Sequence, residues 1–182
     1  LTGTWEEPHV TGNFWVDRLT RRGFTLVHAP GTFTGYFTQV GRGTQVYGDL
    51  GLTGGAISGK DITIKLRPSR IIFTGNPLNP SYDMRGTSTV ANTTIRLTLA
   101  GTRHKPDLAL SSSPPLPEER LLLMLATGRS LAGADTTLGK GRVSSDLAAD
   151  FIDYFVFGGQ GSALAQRLGI TGLSLIYEPD TN

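Results

Sequence analysis

The sequence predicts a mostly β protein, an antiparallel-rich sheet followed by two or three short C-terminal helices, and three observations carry that reading. Glycine is in excess, with 24 residues spread along the chain, and it recurs beside threonine at Thr2-Gly3-Thr4, Gly31-Thr32, Gly43-Thr44 and Gly101-Thr102. Such pairs belong to many short strands joined by tight turns. From Leu1 to about Leu110 apolar residues alternate with polar ones, the period that puts successive side chains on opposite faces of a sheet. Near Ser111 the alternation ends and a longer period, marked by proline and glutamate, takes over.

The clearest strand is Asp61 to Arg67, apolar at Ile62, Ile64 and Leu66 with polar residues between. Thr94 to Leu99 repeats the pattern at Ile95, Leu97 and Leu99. Shorter stretches agree: Ile71 with Phe73, Tyr82 with Met84, and Leu108 with Leu110. Gly75-Asn76-Pro77 and Asn79-Pro80 are turn signals between strands. Earlier strands are placed at Phe14–Val16, Phe24–Val27, Phe33–Phe37 and Gln45–Leu52, each interrupted or flanked by glycine.

Ser111-Ser112-Ser113-Pro114-Pro115 reads as a breaker, and Pro117-Glu118-Glu119 as a helix start. Proline suits the first turn, where its missing N–H has no intrahelical partner, and acidic residues favour the positive end of the helix dipole. This helix runs through Leu121–Thr127 to Gly128. A polar loop from Gly133 to Gly141 leads to a second helix near Ser145-Asp146, either of which can cap it. Its apolar stripe holds Leu147, Phe151, Tyr154 and Phe155, with Asp146, Asp150 and Asp153 off it. Ser162–Leu168 makes a third helix, and Leu173–Tyr177 a returning strand. The whole is one domain over 1–182: sheet over 1–110, helices and loop over 111–170, returning strand over 171–182. Leu1 and Asn182 read as boundaries inside a longer protein.

Several functions are excluded or unsupported at this level. Cysteine is absent, so disulfides, thiolate catalysis and cysteine–metal clusters are ruled out. The net charge is only +2, and its arginines are scattered rather than gathered in a patch, which argues against nucleic acid. His9, His28 and His104 are isolated, without a second ligand at metal spacing. Gly54 to Lys60 matches most of a phosphate loop, but Asp61 stands where the hydroxyl ligand belongs and a strand, not a helix, follows. Gly159-Gln160-Gly161 lacks the third glycine of a dinucleotide loop. The expectation is a non-enzyme without a cofactor.

About a dozen large apolar side chains share one face of the strands from Ile62 to Leu110, and burying each is worth roughly 1.5–3 kcal/mol. A domain's net stability is about 5–15 kcal/mol, so that face cannot stay wet. It closes as a sandwich core, is covered by helices, or curls into a groove that holds something apolar. Three short helices look too few to cover the sheet.

The order of motifs from Gly48 to Ser130 resembles the C-terminal domain of the TamB family. The resemblance rests on Leu66-Arg67-Pro68-Ser69-Arg70-Ile71-Ile72-Phe73 through Tyr82-Asp83-Met84-Arg85-Gly86, on Thr94–Gly101, and on Lys105-Pro106-Asp107-Leu108-Ala109-Leu110. Its most specific part is Ser111–Leu121, leading to Ala126-Thr127-Gly128-Arg129-Ser130, and Gly172–Tyr177 also fits. The resemblance implies a taco-like curled sheet with an apolar concave face, in a periplasmic protein anchored in the inner membrane. It implies phospholipid or other acyl chains as ligand and an outer-membrane Omp85-type, TamA-like partner. The inward-facing set is then Ile62, Ile64, Leu66, Ile71, Phe73, Tyr82, Met84, Ile95, Leu97 and Leu99. A lipid conduit is the preferred function; the alternative is a module that assists outer-membrane β-barrel or autotransporter assembly through its strand edges.

Overall fold

A computed structural model describes residues 2–4, 7–21, 24–41, 43–59, 62–102, 104–129 and 143–157. Ten strands form one sheet: β1 (Thr2–Gly3), β2 (Pro8–Arg21), β3 (Phe24–Val40), β4 (Gly43–Leu52), β5 (Ala56–Ser58), β6 (Thr63–Leu66), β7 (Ser69–Gly75), β8 (Ser81–Val90), β9 (Thr93–Thr102) and β10 (Pro106–Ser113). Two helices follow, α1 (Glu118–Thr127) and α2 (Ser145–Phe157). The expected loop at Gly133–Gly141, the third helix and the returning strand lie outside the described residues.

Every strand pairing is antiparallel, and consecutive strands pair except β4 with β5 and β6 with β7. β4 and β5 lie end to end along β3, and β6 and β7 lie end to end along β8. The sheet is therefore a meander of ribbons, two of them broken in the middle. The glycine-interrupted N-terminal segments turn out to be the longest strands. Phe24–Val27 and Phe33–Phe37, expected as separate strands, are the two halves of the 17-residue β3. Ala56-Ile57-Ser58, within the stretch that matches most of a phosphate loop, is a strand, and Ser111–Ser113 completes β10, so the breaker begins only at Pro114. In both cases pairing with a long neighbour overrides weak local propensity.

A crease crosses the ribbons. On β3 the inward side chains are Phe24 and Leu26 before His28, but Ala29, Gly31 and Phe33 after it, a shift of one residue. His28 has a positive φ of 48°, unusual for a residue with a Cβ. The shift recurs between Leu52 and Ile57, and again between Leu66 and Ser69. Gly55 sits at the second of these with φ 115°, and a Cβ placed there would stand 2.9 Å from the Cβ of Ala29. The β2–β3, β3–β4/β5 and β4/β5–β6/β7 pairings hold one register through the crease, so these ribbons bend together. β8 absorbs the difference: Leu66 opposes Gly86 and Ile71 opposes Tyr82, five steps on one strand against four on the other. That is a β-bulge, which bends and twists the strand that carries it. Ser69 fastens the bulge, donating from Oγ to the Arg67 carbonyl (2.7 Å) and accepting the Arg85 N–H (3.1 Å).

The core lies where α1 and α2 meet the inner face of β8, β9 and β10. Leu121 to Leu125 are all buried, so α1 is apolar nearly all round and packs against β10 and β8. It ends as expected at Gly128, whose left-handed backbone (φ 66°) lets its N–H reach the Met124 carbonyl at 2.9 Å. α2 starts at Ser145, as expected, but the side chain that caps it is Ser144, whose Oγ accepts the Leu147 N–H (3.2 Å). Its buried stripe is Leu147, Ala148, Phe151 and Ile152, while Tyr154 is half-buried in an edge-to-face contact with Phe24 (5.3 Å). Glu118 ties the helices to the sheet: Oε1 accepts the Leu110 N–H (3.3 Å) and Oε2 the Val143 N–H (3.0 Å).

Candidate functional site

The inner face of the sheet has two parts. Register places nine of the ten residues expected to line a groove on that one face. Ile71 opposes Tyr82, Met84 opposes Leu99, and Leu97 and Leu66 both oppose Gly86. Ile64 and Ile95 both oppose Ser88, and Phe73 opposes Gly48. Ile62, the tenth, stands just before β6, half-buried against the core. Ile64, Leu66, Tyr82, Met84, Ile95, Leu97 and Leu99 are buried, with Ile95 fully inaccessible, in one cluster with Leu121–Leu125 and Phe151. This part is a helix-covered core.

The second part was missed by the alternation of large residues. Val10, Gly12, Phe14 and Val16 of β2, Gly31, Phe33, Gly35 and Phe37 of β3, and Val46, Gly48 and Leu50 of β4 continue the same face. Phe33, Phe37 and Phe73 are half-buried and stand apart from the cluster under the helices. A repeated pairing builds this surface: three of its four phenylalanines face a glycine across the ladder, Phe14 to Gly31, Phe33 to Gly12 and Phe73 to Gly48, while Phe37 faces Val46. Phe14 lies over the Cα of Gly31, in the space a Cβ would need. Large side chains therefore stand beside bare backbone, and the result is a trough with aromatic walls and a low floor. The signal was present in Phe33-Thr34-Gly35-Tyr36-Phe37 and Val46-Tyr47-Gly48-Asp49-Leu50. It becomes legible once glycine is counted as an inward position.

The outer face is polar and ladder-like. Arg70 pairs with Asp49 at 2.5 Å, and this hydrogen bond with its charge raises the Arg70 pKa above the ordinary guanidinium value. Asp83 pairs with Arg85 at 3.6 Å. His9, Tyr36 and Tyr47 stack across three strands at 5.2 and 5.0 Å. The phosphate-loop look-alike falls on the crease and β5, with β6 behind it rather than a helix. Among the described residues no cluster of His, Asp and Glu could hold a metal ion, and no helix is long and apolar enough to cross a membrane.

A creased antiparallel sheet with an apolar inner face, partly under helices and partly lined by phenylalanine and glycine, defines a mostly β protein of a curled sheet with short C-terminal helices. A family model of the TamB C-terminal domain matches residues 12–182, and the chain belongs to that family. The family is one of bacterial envelope proteins of the translocation and assembly module, with a general role in envelope assembly and lipid transport. No curated protein shows a significant match to the chain.

Proposed function

We propose that this domain is a non-catalytic, cofactor-free periplasmic module that holds the acyl chains of phospholipid on the inner face of its sheet, within a parent anchored in the inner membrane. The trough is the observation that carries the reading. Its walls are Phe14, Phe33, Phe37, Leu50 and Phe73, on one face and half-buried, and among the described residues no set of polar groups converges on them. Sites that recognise a defined small molecule place a few polar groups among apolar ones to fix orientation. A surface that offers only apolar walls suits a flexible hydrocarbon chain. Lipid then rests on the part formed by β2, β3, β4 and β7, and the helices close the groove over β8 to β10.

The test is photo-crosslinking in cells from Phe33 and, one step along the strand, from Thr34, which lies on the opposite face. Lipid adducts at 33 and none at 34 support the reading; protein adducts alone at 33 overturn it. A second reading rests on the outer edge of β2, where β1 pairs only with Pro8 and His9. Over the rest of β2 the described residues supply no outer strand, which leaves room for strand addition by an Omp85-type, TamA-like partner or by a nascent β-protein. A proline at an outward N–H of β2 should abolish that pairing and spare lipid adducts.

A further inference from the structure

The two lateral edges of the sheet are unlike. β10 is closed: it begins at Pro106, which has no N–H, Glu118 takes the Leu110 N–H, and both helices pack against it. β2 is paired on its outer side only at Pro8 and His9, by β1, and from Val10 to Arg21 the described residues supply no outer neighbour. That stretch holds no proline and no lysine, two usual guards of a bare edge. It also holds two of the strongly exposed large apolar side chains, Trp15 at 61 % and Leu19 at 59 %. A strand added here must match the crease. Val16 points inward opposite Ala29, and Leu19 inward opposite Leu26, so Asp17 and Arg18 between them both lie on the outer face, flanked there by Trp15 and Thr20. Asp17 reaches the outward His28 at 3.7 Å, and Arg18 pairs with no acid among the described residues. β2 itself is such a strand. Laid antiparallel on a second copy with Asp17 opposite Arg18, it sets Val16 against Leu19 on the inner face and Trp15 against Thr20 on the outer, each twice about a twofold axis. Every residue then meets one on its own face, as a register with one buried face requires, and the two creases fall in line. A shift by one residue either way fails, setting Val16 on Arg18 or Leu19 on Asp17.

We propose that β2 pairs edge to edge with β2 of a second copy of this chain, antiparallel over residues 14–21, with Asp17 of each copy opposite Arg18 of the other. The interface is isologous, one self-complementary patch serving both copies. It joins opposite charges at the axis, covers Leu19, and gives the bare edge its hydrogen-bonding partners. One pair of strands is small for an interface, so the dimer is weak and concentration-dependent. It does not depend on what fills the trough, and it takes the edge that strand addition by another protein would use, so the two compete.

The test is sedimentation equilibrium of the 182-residue chain over a range of concentrations, where the mass is expected to rise from monomer to dimer. Asp17→Arg sets arginine against arginine at both crossings and Arg18→Asp sets aspartate against aspartate, and each alone should weaken the dimer at least about tenfold. The double variant, and an equimolar mixture of the two single variants, restore opposite charges and should recover it. Both positions are exposed, and an unchanged thermal midpoint checks that the variants fold. Register is read with cysteine, which the chain lacks. Opposite residues of an antiparallel pair stand about 4.5–5.5 Å apart, within disulfide reach, whereas the two copies of Trp15 would be about 17 Å apart. A mixture of Trp15→Cys and Thr20→Cys chains is expected to form a disulfide-linked dimer on oxidation, and neither variant alone. Phe33→Arg, in the trough, should leave the dimer intact. A chain monomeric at every concentration, a dimer indifferent to both charge reversals, or a cysteine mixture that links no faster than its components would each overturn the proposal.

Discussion

Glu118 joins three elements, and removing its carboxylate should loosen the helices without unmaking the sheet. One oxygen accepts the Leu110 N–H of β10 and the other the Val143 N–H that leads into α2, at 3.3 and 3.0 Å. A hydrogen bond to a charged group contributes about 1.5–3 kcal/mol, and a carboxylate in the first turn adds about 0.3–1 kcal/mol through the helix dipole. The longer contact and half-burial of Glu118 put it at the low end, so Glu118→Ala should cost about 2–4 kcal/mol. Glu118→Gln keeps one acceptor and should cost about half as much. The neighbouring Glu119 is the control: its Oε2 is buried without a hydrogen-bond partner, so Glu119→Gln should change stability by less than about 1 kcal/mol. Urea unfolding gives the totals, and amide exchange at Leu110 and Val143 locates the loss. A cost below about 0.5 kcal/mol for Glu118→Ala, or an equal cost for Glu119→Gln, would refute the argument.

Ile95→Ala removes a fully inaccessible side chain beneath α1 and should cost about 2–5 kcal/mol by chemical denaturation; a cost near that of an exposed site would mean the helices do not pack there. Gly55→Val sets a branched side chain against Ala29 at φ 115° and should cost about 2–5 kcal/mol, with Gly55→Ala milder. Circular dichroism with thermal melting reads that loss. Phe33→Arg should fold, because its side chain reaches water, and should abolish lipid adducts at a crosslinker placed at Phe37; retained adducts would move the ligand elsewhere. Leu97→Arg, by contrast, buries a charge under α1 and should unfold the chain rather than report on lipid.

Much of this architecture was legible in the sequence, and the reasons are local. Strands β8 and β9 read cleanly because one face is deeply buried and the other wet, so Tyr82, Met84, Ile95, Leu97 and Leu99 alternate without interruption. α1 was legible from Pro117, Glu118, Glu119 and Gly128. The division of the inner face was not, because it depends on where two helices settle, and periodicity carries no such information. The phase shift at Pro68 was also hidden. Leu66 and Ile71 are five residues apart and belong to opposite faces of any regular strand, yet both point inward here. β2 and β3 were undervalued because glycine was read as an interruption, when it is half of a cross-strand pair with phenylalanine.

The crease acts on the chain much as a reading frame acts on a message. Each ribbon from β2 to β7 specifies its inward residues in two phases, and the switch falls opposite the switch of its neighbour: Asp17 beside His28, His28 beside Gly55, Gly55 beside Leu66. One residue deleted between a turn and its switch would turn every following inward side chain outward as far as the next compensating change. Two deletions in neighbouring ribbons would restore the pattern. Segment lengths in this part of the molecule are therefore coupled in pairs. A ribbon added along β2 would have to carry its own switch opposite Asp17 to keep the inner surface continuous.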